Sequence, residues 1–190
     1  MRPHRASFTA RFVAASRGLS ALLPRSLRLV DDPYGAAFAS PALAALVDVA
    51  KRIPAPARGV AWAPLWPMFP WAVYMQVRTR FFDDALVEFV RAGGRQVVIL
   101  GAGFDARATR LRDALGDARV FEVDHPATQA AKRAALADAP SRATYLAWDF
   151  EHDAMGELPA RLAAAGHRAT EPTFTLWEGV TRSEEHTSEL

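Results

Sequence analysis

The sequence contains no cysteine, and only two of its 190 residues are lysines, Lys51 and Lys132. The lack of cysteine excludes disulfides, thiolate zinc sites and cysteine nucleophiles, and it fits a reducing compartment. Charge of one sign is not in excess either, because 23 basic residues face 21 acidic ones and leave a net charge of +2. We expect no nucleic-acid partner, since binding a polyanion requires clustered positive charge.

Long apolar runs are missing as well. No stretch of about 18 apolar residues could cross a membrane as a helix, and three prolines (Pro64, Pro67 and Pro70) interrupt the most apolar segment, residues 60–73. The basic N-terminus lacks the apolar run of a secretory signal, although six arginines and no acid in the first thirty residues would also suit an organelle transit peptide. We therefore expect a cytoplasmic protein with no membrane partner.

The apolar content is nevertheless sufficient for a sizeable core, because 51% of the residues are hydrophobic and only 23% are charged. The character of the sequence changes near residue 76. Before this point, alanine- and proline-rich segments with helical spacing predict an N-terminal helical cap over residues 1–75. After it, short apolar runs alternate with helical patterns, and this alternation predicts a second domain over residues 76–181.

The second domain has the pattern of an α/β fold. A helical repeat that begins at Phe82 should end at Gly93 and Gly94. Four strands are predicted at Gln96–Leu100 and at residues 119–123, 144–148 and 173–177, with helices at 107–115, 126–137 and 159–165 between them. Strands that alternate with helices at this spacing predict right-handed crossovers and a parallel sheet covered by helices.

Each predicted strand is followed or ended by glycine or an acidic residue. Gly101 and Gly103 follow the first strand, and Asp124, Asp149 and Glu178 come at the ends of the next three. In a parallel sheet these ends share one edge, where ligands bind. The glycines permit a tight turn and a close approach of the ligand, and an acidic residue at the end of the second strand can accept both hydroxyls of a ribose. We infer an adenosine-containing cofactor.

Two cofactors fit the glycine turn. Ala106 completes the pattern Gly-x-Gly-x-x-Gly/Ala, which is typical of NAD sites. Asp105, however, lies at the start of the following helix, where its charge would repel a pyrophosphate but would tolerate a cationic sulfonium. The residues therefore favour S-adenosylmethionine. An NAD(P)-dependent Rossmann oxidoreductase and a non-catalytic nucleoside-binding fragment stay open as alternatives.

Five segments carry a family resemblance: 31–34 (DDPY), 78–83 (RTRFFD), 98–107 (VILGAGFDAR), 121–126 (FEVDHP) with Lys132 following, and 177–180 (WEGV). They resemble the leucine carboxyl methyltransferase-like family, most closely its bacterial branch of S-adenosylmethionine-dependent methyltransferases, over about residues 10–181. The resemblance implies the class I methyltransferase fold, a Rossmann-like parallel sheet with an N-terminal helical cap and with the cofactor across the strand ends.

The resemblance also implies roles for residues near the methionine part of the cofactor. Arg78 would pair with its carboxylate, the backbone of Gly101 would contact the methionine chain, and Glu178 would lie near the amino group. Asp105 and Arg107 are expected to form a helix cap and a supporting ion pair. No catalytic residue and no metal ligand is assigned.

The nucleoside part has its own implied contacts. Asp124 would accept the ribose hydroxyls, and Asp149 with Phe150 would bracket the adenine. Phe150 departs from the family pattern, in which a smaller aliphatic residue is usual, but the expected contact is mainly through the backbone. Ala106 stands where threonine is common, so a hydroxyl is lost there. His125 is interpreted as a helix-start residue and not as a base.

Methyl transfer is an in-line displacement, so the protein must align an acceptor oxygen with the methyl group and exclude water. A carboxylate acceptor needs no general base, whereas a hydroxyl does. The sequence leaves open which of the two is used and whether the acceptor is a small molecule or a peptide. Trp62, Trp66 and Trp71 could line an acceptor pocket, but packing within the helical cap is the favoured interpretation.

Residues 182–190 (RSEEHTSEL) have a different character, charged and without pattern. They resemble the in-frame translation of a sequencing-library adapter, and we interpret them as an artefactual tail. On this interpretation the fold is incomplete at the C-terminus, and the later strands of the family's sheet are missing. We would then expect the fourth strand to be an exposed edge and the isolated chain to be unstable and inactive.

Overall fold

A computed structural model of the chain describes residues 8–23, 25–54, 57 and 69–178. Its contacts divide the chain into two compact units, one formed by Ser7–Ala85 and the other beginning at Leu86. The division that we predicted after residue 75 stays a prediction. The interpretations of Trp62, Trp66 and the tail at 182–190 concern residues outside the described part.

The first unit is helical, as its sequence spacing predicts. Its helices are α1 (Phe8–Ser20), α2 (Gly35–Ala39), α3 (Pro41–Lys51) and α4 (Phe69–Arg91), with a short 3-10 turn at Arg25–Leu27. The helix α4 continues past Ala85 into the second unit. Within the first unit, Trp71 donates its indole N–H to the hydroxyl of Ser16, 3.0 Å away. This tryptophan therefore takes part in the packing of α4 against α1.

Polar side chains fix the starts of α2 and α3. The carboxylate of Asp32 accepts the backbone N–H groups of Tyr34 and Gly35 at 3.0 and 3.1 Å, and its other oxygen pairs with Arg17 at 2.9 Å. The hydroxyl of Ser40 accepts the N–H of Leu43 at 3.1 Å at the start of α3. The DDPY segment therefore begins α2 and joins it to α1.

The second unit contains a four-stranded sheet with the strand order β3-β2-β1-β4. The strands are β1 (Gln96–Leu100), β2 (Arg119–Asp124), β3 (Ala143–Ala147) and β4 (Thr173–Trp177), and every neighbouring pair is parallel. The prediction of a parallel α/β fold is therefore confirmed. All five residues of β1 are buried, as expected for a central strand of a parallel sheet that is covered by helices.

The connections between the strands are helices, as predicted. They are α5 (Arg107–Arg110), α6 (Arg112–Leu115), α7 (Pro126–Leu136) and α8 (Leu158–Ala164), with a 3-10 turn at Met155–Glu157 before α8. The single helix predicted over 107–115 is divided at Leu111, whose backbone angles of −99° and 15° leave the helical region. Among the helices that the structure describes, none combines the length and the hydropathy needed to traverse a bilayer.

One face of the sheet packs against α8 and forms the apolar core of the second unit. The buried side chains of this cluster are Val98, Leu100, Phe121, Val123, Leu146, Trp148, Leu158 and Leu162. At the amino ends of the strands, the fully buried amide of Gln96 accepts the N–H of Arg168 at 2.7 Å and donates to its carbonyl at 2.8 Å. These contacts fix the loop before β4, so β4 pairs with β1 in register.

The helices α1 and α2 approach each other closely at two glycines. A Cβ atom placed on Gly18 would lie 2.3 Å from the backbone nitrogen of Ala36, and one on Gly35 would lie 2.6 Å from the nitrogen of Gly18. Both distances are far below van der Waals contact, and the atoms met are backbone atoms that cannot rotate away. Only glycine permits this packing.

We predict that Gly18→Ala lowers the free energy of unfolding by about 1–3 kcal/mol, because α2 must move away from α1 to admit the methyl group. Denaturant unfolding of the chain measures the change. Gly156→Ala is the matched control, since no atom lies within 4 Å of its added Cβ, and its effect should stay within about 0.5 kcal/mol. Equal stability of Gly18→Ala and the unmodified chain would contradict this packing.

Candidate cofactor site

The chain turns sharply after β1. Gly101 and Gly103 have φ angles of +62° and +46°, in the left-handed region that favours glycine. The N–H of Ala102 between them donates to the carbonyl of Val123 at 3.1 Å. The turn therefore stays attached to the end of β2 and places both glycines at the carboxyl edge of the sheet.

Asp124, the last residue of β2, is bonded to this turn. Its Oδ2 accepts the N–H of Gly103 and its Oδ1 accepts the N–H of His125, both at 2.7 Å. Burial raises the pKa of Asp124, and the two N–H groups offset part of that rise. Each carboxylate oxygen retains further acceptor capacity. The side chain is thus fixed beside the glycine turn and can still accept hydrogen bonds from a ligand.

Asp149 follows β3 at the same edge. Its Oδ1 accepts the N–H of Glu151 at 3.0 Å, and its Oδ2 lies 3.0 Å from Nδ1 of His152. Partial burial acts to raise the pKa of Asp149, but the N–H of Glu151 and the ring of His152 outweigh it, so the pKa lies below its usual value. Asp149 is therefore ionised at neutral pH.

His125 connects Asp124 with Asp149. Its Nδ1 accepts the N–H of Ala127 at 3.2 Å and begins α7, which confirms the interpretation as a helix-start residue. Because Nδ1 is an acceptor, the neutral ring carries its proton on Nε2. That atom lies 3.6 Å from Oδ2 of Asp149. The ring of His125 therefore lies close to both of the neighbouring strand ends, those of β2 and β3.

Glu178 follows β4 and is joined to the glycine loop through a buried cation. Nη1 of Arg107 donates to Oδ2 of Asp105 and, at 3.0 Å, to Oε2 of Glu178. The other oxygen of Asp105 accepts the backbone N–H of Arg107 at 2.7 Å. The predicted cap and supporting ion pair are therefore confirmed. The bond to Glu178 was not predicted, because its partners are 71 residues apart.

The structure thus brings Gly101, Gly103, Asp124, Asp149 and Glu178 to one edge, linked by a continuous line of contacts. Phe150 follows Asp149, and its half-buried ring packs against the apolar core cluster. Its backbone, rather than its ring, is therefore the part available beside Asp149. Arg78 lies on α4 within the first unit and is half-buried. The cofactor roles of these seven residues stay predictions.

A buried ion pair beneath this edge was missed by the sequence reasoning. Nζ of Lys132 on α7 contacts Oε2 of Glu122 on β2, and each side chain is only 1% exposed. Burial raises the pKa of Glu122 to about 7, and Lys132 limits the rise. An acidic residue inside an apolar strand indicates that Glu122 needs a buried partner. The sequence does not identify that partner as Lys132, because the contact depends on how α7 packs on the sheet.

One group of side chains near this edge has the composition of a cation site. Asp149, Glu151 and His152 each offer a ligand atom, and these atoms lie within 4.8 Å of one another. The side chains of Glu151 and His152 are exposed, and both residues already contact the Asp149 carboxylate. We interpret this group as the loop that orients Asp149, and we assign no metal to it.

Comparison with known proteins decides the family. The family model described as leucine carboxyl methyltransferase matches residues 10–182. The chain belongs to this family. The resemblance inferred from five short segments is therefore confirmed over both compact units, and the methyltransferase form of the Rossmann-like fold is consistent with the observed strand order.

Relatives in the leucine carboxyl methyltransferase family include bacterial proteins that are named as S-adenosyl-L-methionine-dependent methyltransferases. One from Streptomyces coelicolor is 39% identical over 177 residues, which cover 90% of this chain and 55% of the relative. One from Mycolicibacterium smegmatis is 38% identical over 176 residues, with the same coverage. One from Mycobacterium avium is 37% identical over 176 residues. The chain spans about half the length of these relatives.

The buried pair predicts a pH dependence of stability for this family member. Since the pKa of Glu122 is raised from 4.5 to about 7 in the folded state, the folded chain holds an extra proton between these values. The stabilisation is complete below the lower pKa and is lost as the pH rises through the upper one. Relative to Glu122→Gln, the unmodified chain should lose up to roughly 3 kcal/mol of unfolding free energy between pH 5 and pH 8.

Denaturant unfolding at a series of pH values measures this difference. Glu88→Gln is the control, because Glu88 is exposed on α4. The unfolding free energy of this variant should depend on pH in the same way as that of the unmodified chain. Parallel profiles for the unmodified chain and Glu122→Gln would show that Glu122 does not carry the extra proton.

Proposed function

We propose that this chain is part of an S-adenosyl-L-methionine-dependent methyltransferase and that it holds the cofactor at the carboxyl edge of its sheet. The observation that carries the proposal is the line of contacts along that edge, from Glu178 through Arg107 and the glycine turn to Asp124 and Asp149. Four strand ends contribute to it. Membership of the leucine carboxyl methyltransferase family and the names of the relatives support the same cofactor.

The charge at this edge favours a cationic ligand. Asp105, Asp124, Asp149 and Glu178 are all acidic, and the guanidinium of Arg107 is already shared between two of them. A sulfonium and an α-ammonium group would be attracted to such an edge, whereas the two negative charges of a pyrophosphate would be repelled. The balance of charge therefore supports S-adenosylmethionine over a dinucleotide.

The hydrogen bonding at the first turn of α5 also favours S-adenosylmethionine over a dinucleotide. A dinucleotide places its pyrophosphate on the free N–H groups at the start of the helix that follows the glycine turn. Here the N–H of Arg107, the first helical residue, donates to Asp105 at 2.7 Å. A phosphate oxygen would have to displace a carboxylate from this N–H. We therefore set the NAD(P)-dependent oxidoreductase aside in favour of the methyltransferase.

The site residues take the roles that the family pattern implies. Asp124 accepts the ribose hydroxyls with the acceptor capacity that its two backbone bonds leave. Asp149 and the backbone of Phe150 flank the adenine, and Gly101 lets the methionine chain approach its backbone. At the amino-acid end of the cofactor, Glu178 faces the amino group and Arg78 pairs with the carboxylate.

The cofactor supplies a methyl group on positively charged sulfur, and the residues of this chain bind and orient it. The acceptor oxygen must lie opposite the sulfur with water excluded. We propose O-methylation of a carboxylate or a hydroxyl on a small molecule or peptide in the cytoplasm. The family's description favours a carboxylate, which is ionised at neutral pH and needs no general base.

We predict that Asp124→Ala weakens binding of S-adenosylhomocysteine by roughly 1–3 kcal/mol, because the ribose hydroxyls lose their charged acceptor. Titration calorimetry on the chain measures the affinity, and NAD in the same assay should produce no binding heat. Asp117→Ala is the matched control, since its carboxylate is 99% exposed on the loop before β2. Unchanged affinity in Asp124→Ala, or binding of NAD in place of S-adenosylhomocysteine, would contradict the proposed function.

A further inference from the structure

Arg107 is a buried cation at the carboxyl edge of the sheet. Its side chain is 4% exposed, whereas the carboxylates that it contacts, on Asp105 and Glu178, are 11% and 13% exposed. A guanidinium is costly to bury unless its hydrogen bonds and its charge are both compensated. Its guanidinium is more deeply buried than the two carboxylates, so an effect of Arg107 on a ligand at this edge can pass through either of them.

The two carboxylates differ in what they need from Arg107. Asp105 is two residues away and already accepts the backbone N–H of Arg107, so its position is fixed locally. Glu178 lies 71 residues further along the chain and follows β4 directly. Its bond to Arg107 ties the end of β4 to the loop after β1. The distinctive contribution of the arginine is therefore the orientation of Glu178.

The strand register places Glu178 where this orientation matters. Leu100 is aligned with Trp177 in the parallel pair of β1 and β4, so Gly101 and Glu178 each follow the last aligned residue of their strand. The carboxylate thus comes to the level of the glycine turn. Because Glu178 is more exposed than Arg107, it is the member of the pair that a ligand at this edge can reach.

We propose that Arg107 is a positioning residue, which holds the carboxylate of Glu178 at the glycine turn so that it can bind the amino group of the cofactor. This inference rests on the proposed function, because it requires an adenosyl cofactor with an amino-acid part. A lysine could neutralise Asp105, but its ammonium rotates freely on a flexible stem, whereas the two N–H bonds of Nη1 that contact the carboxylates point in fixed directions within the guanidinium plane. The geometry at Glu178 should therefore depend on arginine itself.

Two ligands separate positioning from a general structural role. S-adenosylhomocysteine carries both the nucleoside and the amino acid, whereas 5′-methylthioadenosine carries the nucleoside alone. If Arg107 acts through Glu178, Arg107→Lys should weaken S-adenosylhomocysteine about tenfold or more and leave the affinity for 5′-methylthioadenosine unchanged. Titration calorimetry of the chain with each ligand gives both affinities. Retained binding of 5′-methylthioadenosine also shows that the variant is folded.

Two further variants complete the experiment. Glu178→Gln should reproduce the selective loss, and combining it with Arg107→Lys should add little, because both changes remove the same contact. Arg112→Lys is the control, since Arg112 is exposed and pairs only loosely, at 3.4 Å, with Asp113; it should bind both ligands normally.

The outcomes are distinct. Equal weakening of both ligands in Arg107→Lys, or unchanged binding of S-adenosylhomocysteine, would overturn the positioning role. Additive losses in the double variant would also overturn it, because the two residues would then act independently. If the unmodified chain binds neither ligand, it is the proposed function that fails.

Discussion

The parallel register of β1 with its two neighbours is the constraint on which the site depends. Leu100 is aligned with Val123 on one side and with Trp177 on the other, so the chain leaves three strands at one level. The hydrogen bond from Gly103 to Asp124 is possible only because of this alignment. A slip of one residue in any strand would turn its terminal side chain to the opposite face of the sheet and would separate the glycine turn from the carboxylates.

Electrostatic compensation decides which charges face the ligand. Two cations, Arg107 and Lys132, are buried behind the edge, and each is paired with a carboxylate from another element. A buried pair of this kind contributes little net stability. Removing one partner, however, strongly destabilises the fold, because the other charge is left buried and uncompensated. The other described carboxylates of this edge, on Asp124 and Asp149, are held by backbone N–H groups and by His152, and a cationic cofactor would meet their negative charge there.

Much of this arrangement can be predicted from the sequence, because it depends on residues that are close together in the chain. The run at Gln96–Leu100 with glycine after it predicts a buried strand and a turn, and an acid at the end of the next strand predicts Asp124 at the same edge. Contacts between segments that are far apart in the chain cannot be predicted in this way. The neighbouring Asp105 predicts a local partner for Arg107, but nothing in the sequence indicates its bond to Glu178, and Glu122 gives no indication that its partner is Lys132. These pairs depend on how the helices pack on the sheet.

A crystal structure of the chain with bound S-adenosylhomocysteine tests the central claim most directly. The account predicts that the ribose hydroxyls lie within hydrogen-bond distance of the Asp124 carboxylate, with the methionine chain against the turn at Gly101 and the adenine beside Asp149. A ligand bound elsewhere on the sheet, or a ribose turned away from Asp124, would contradict it.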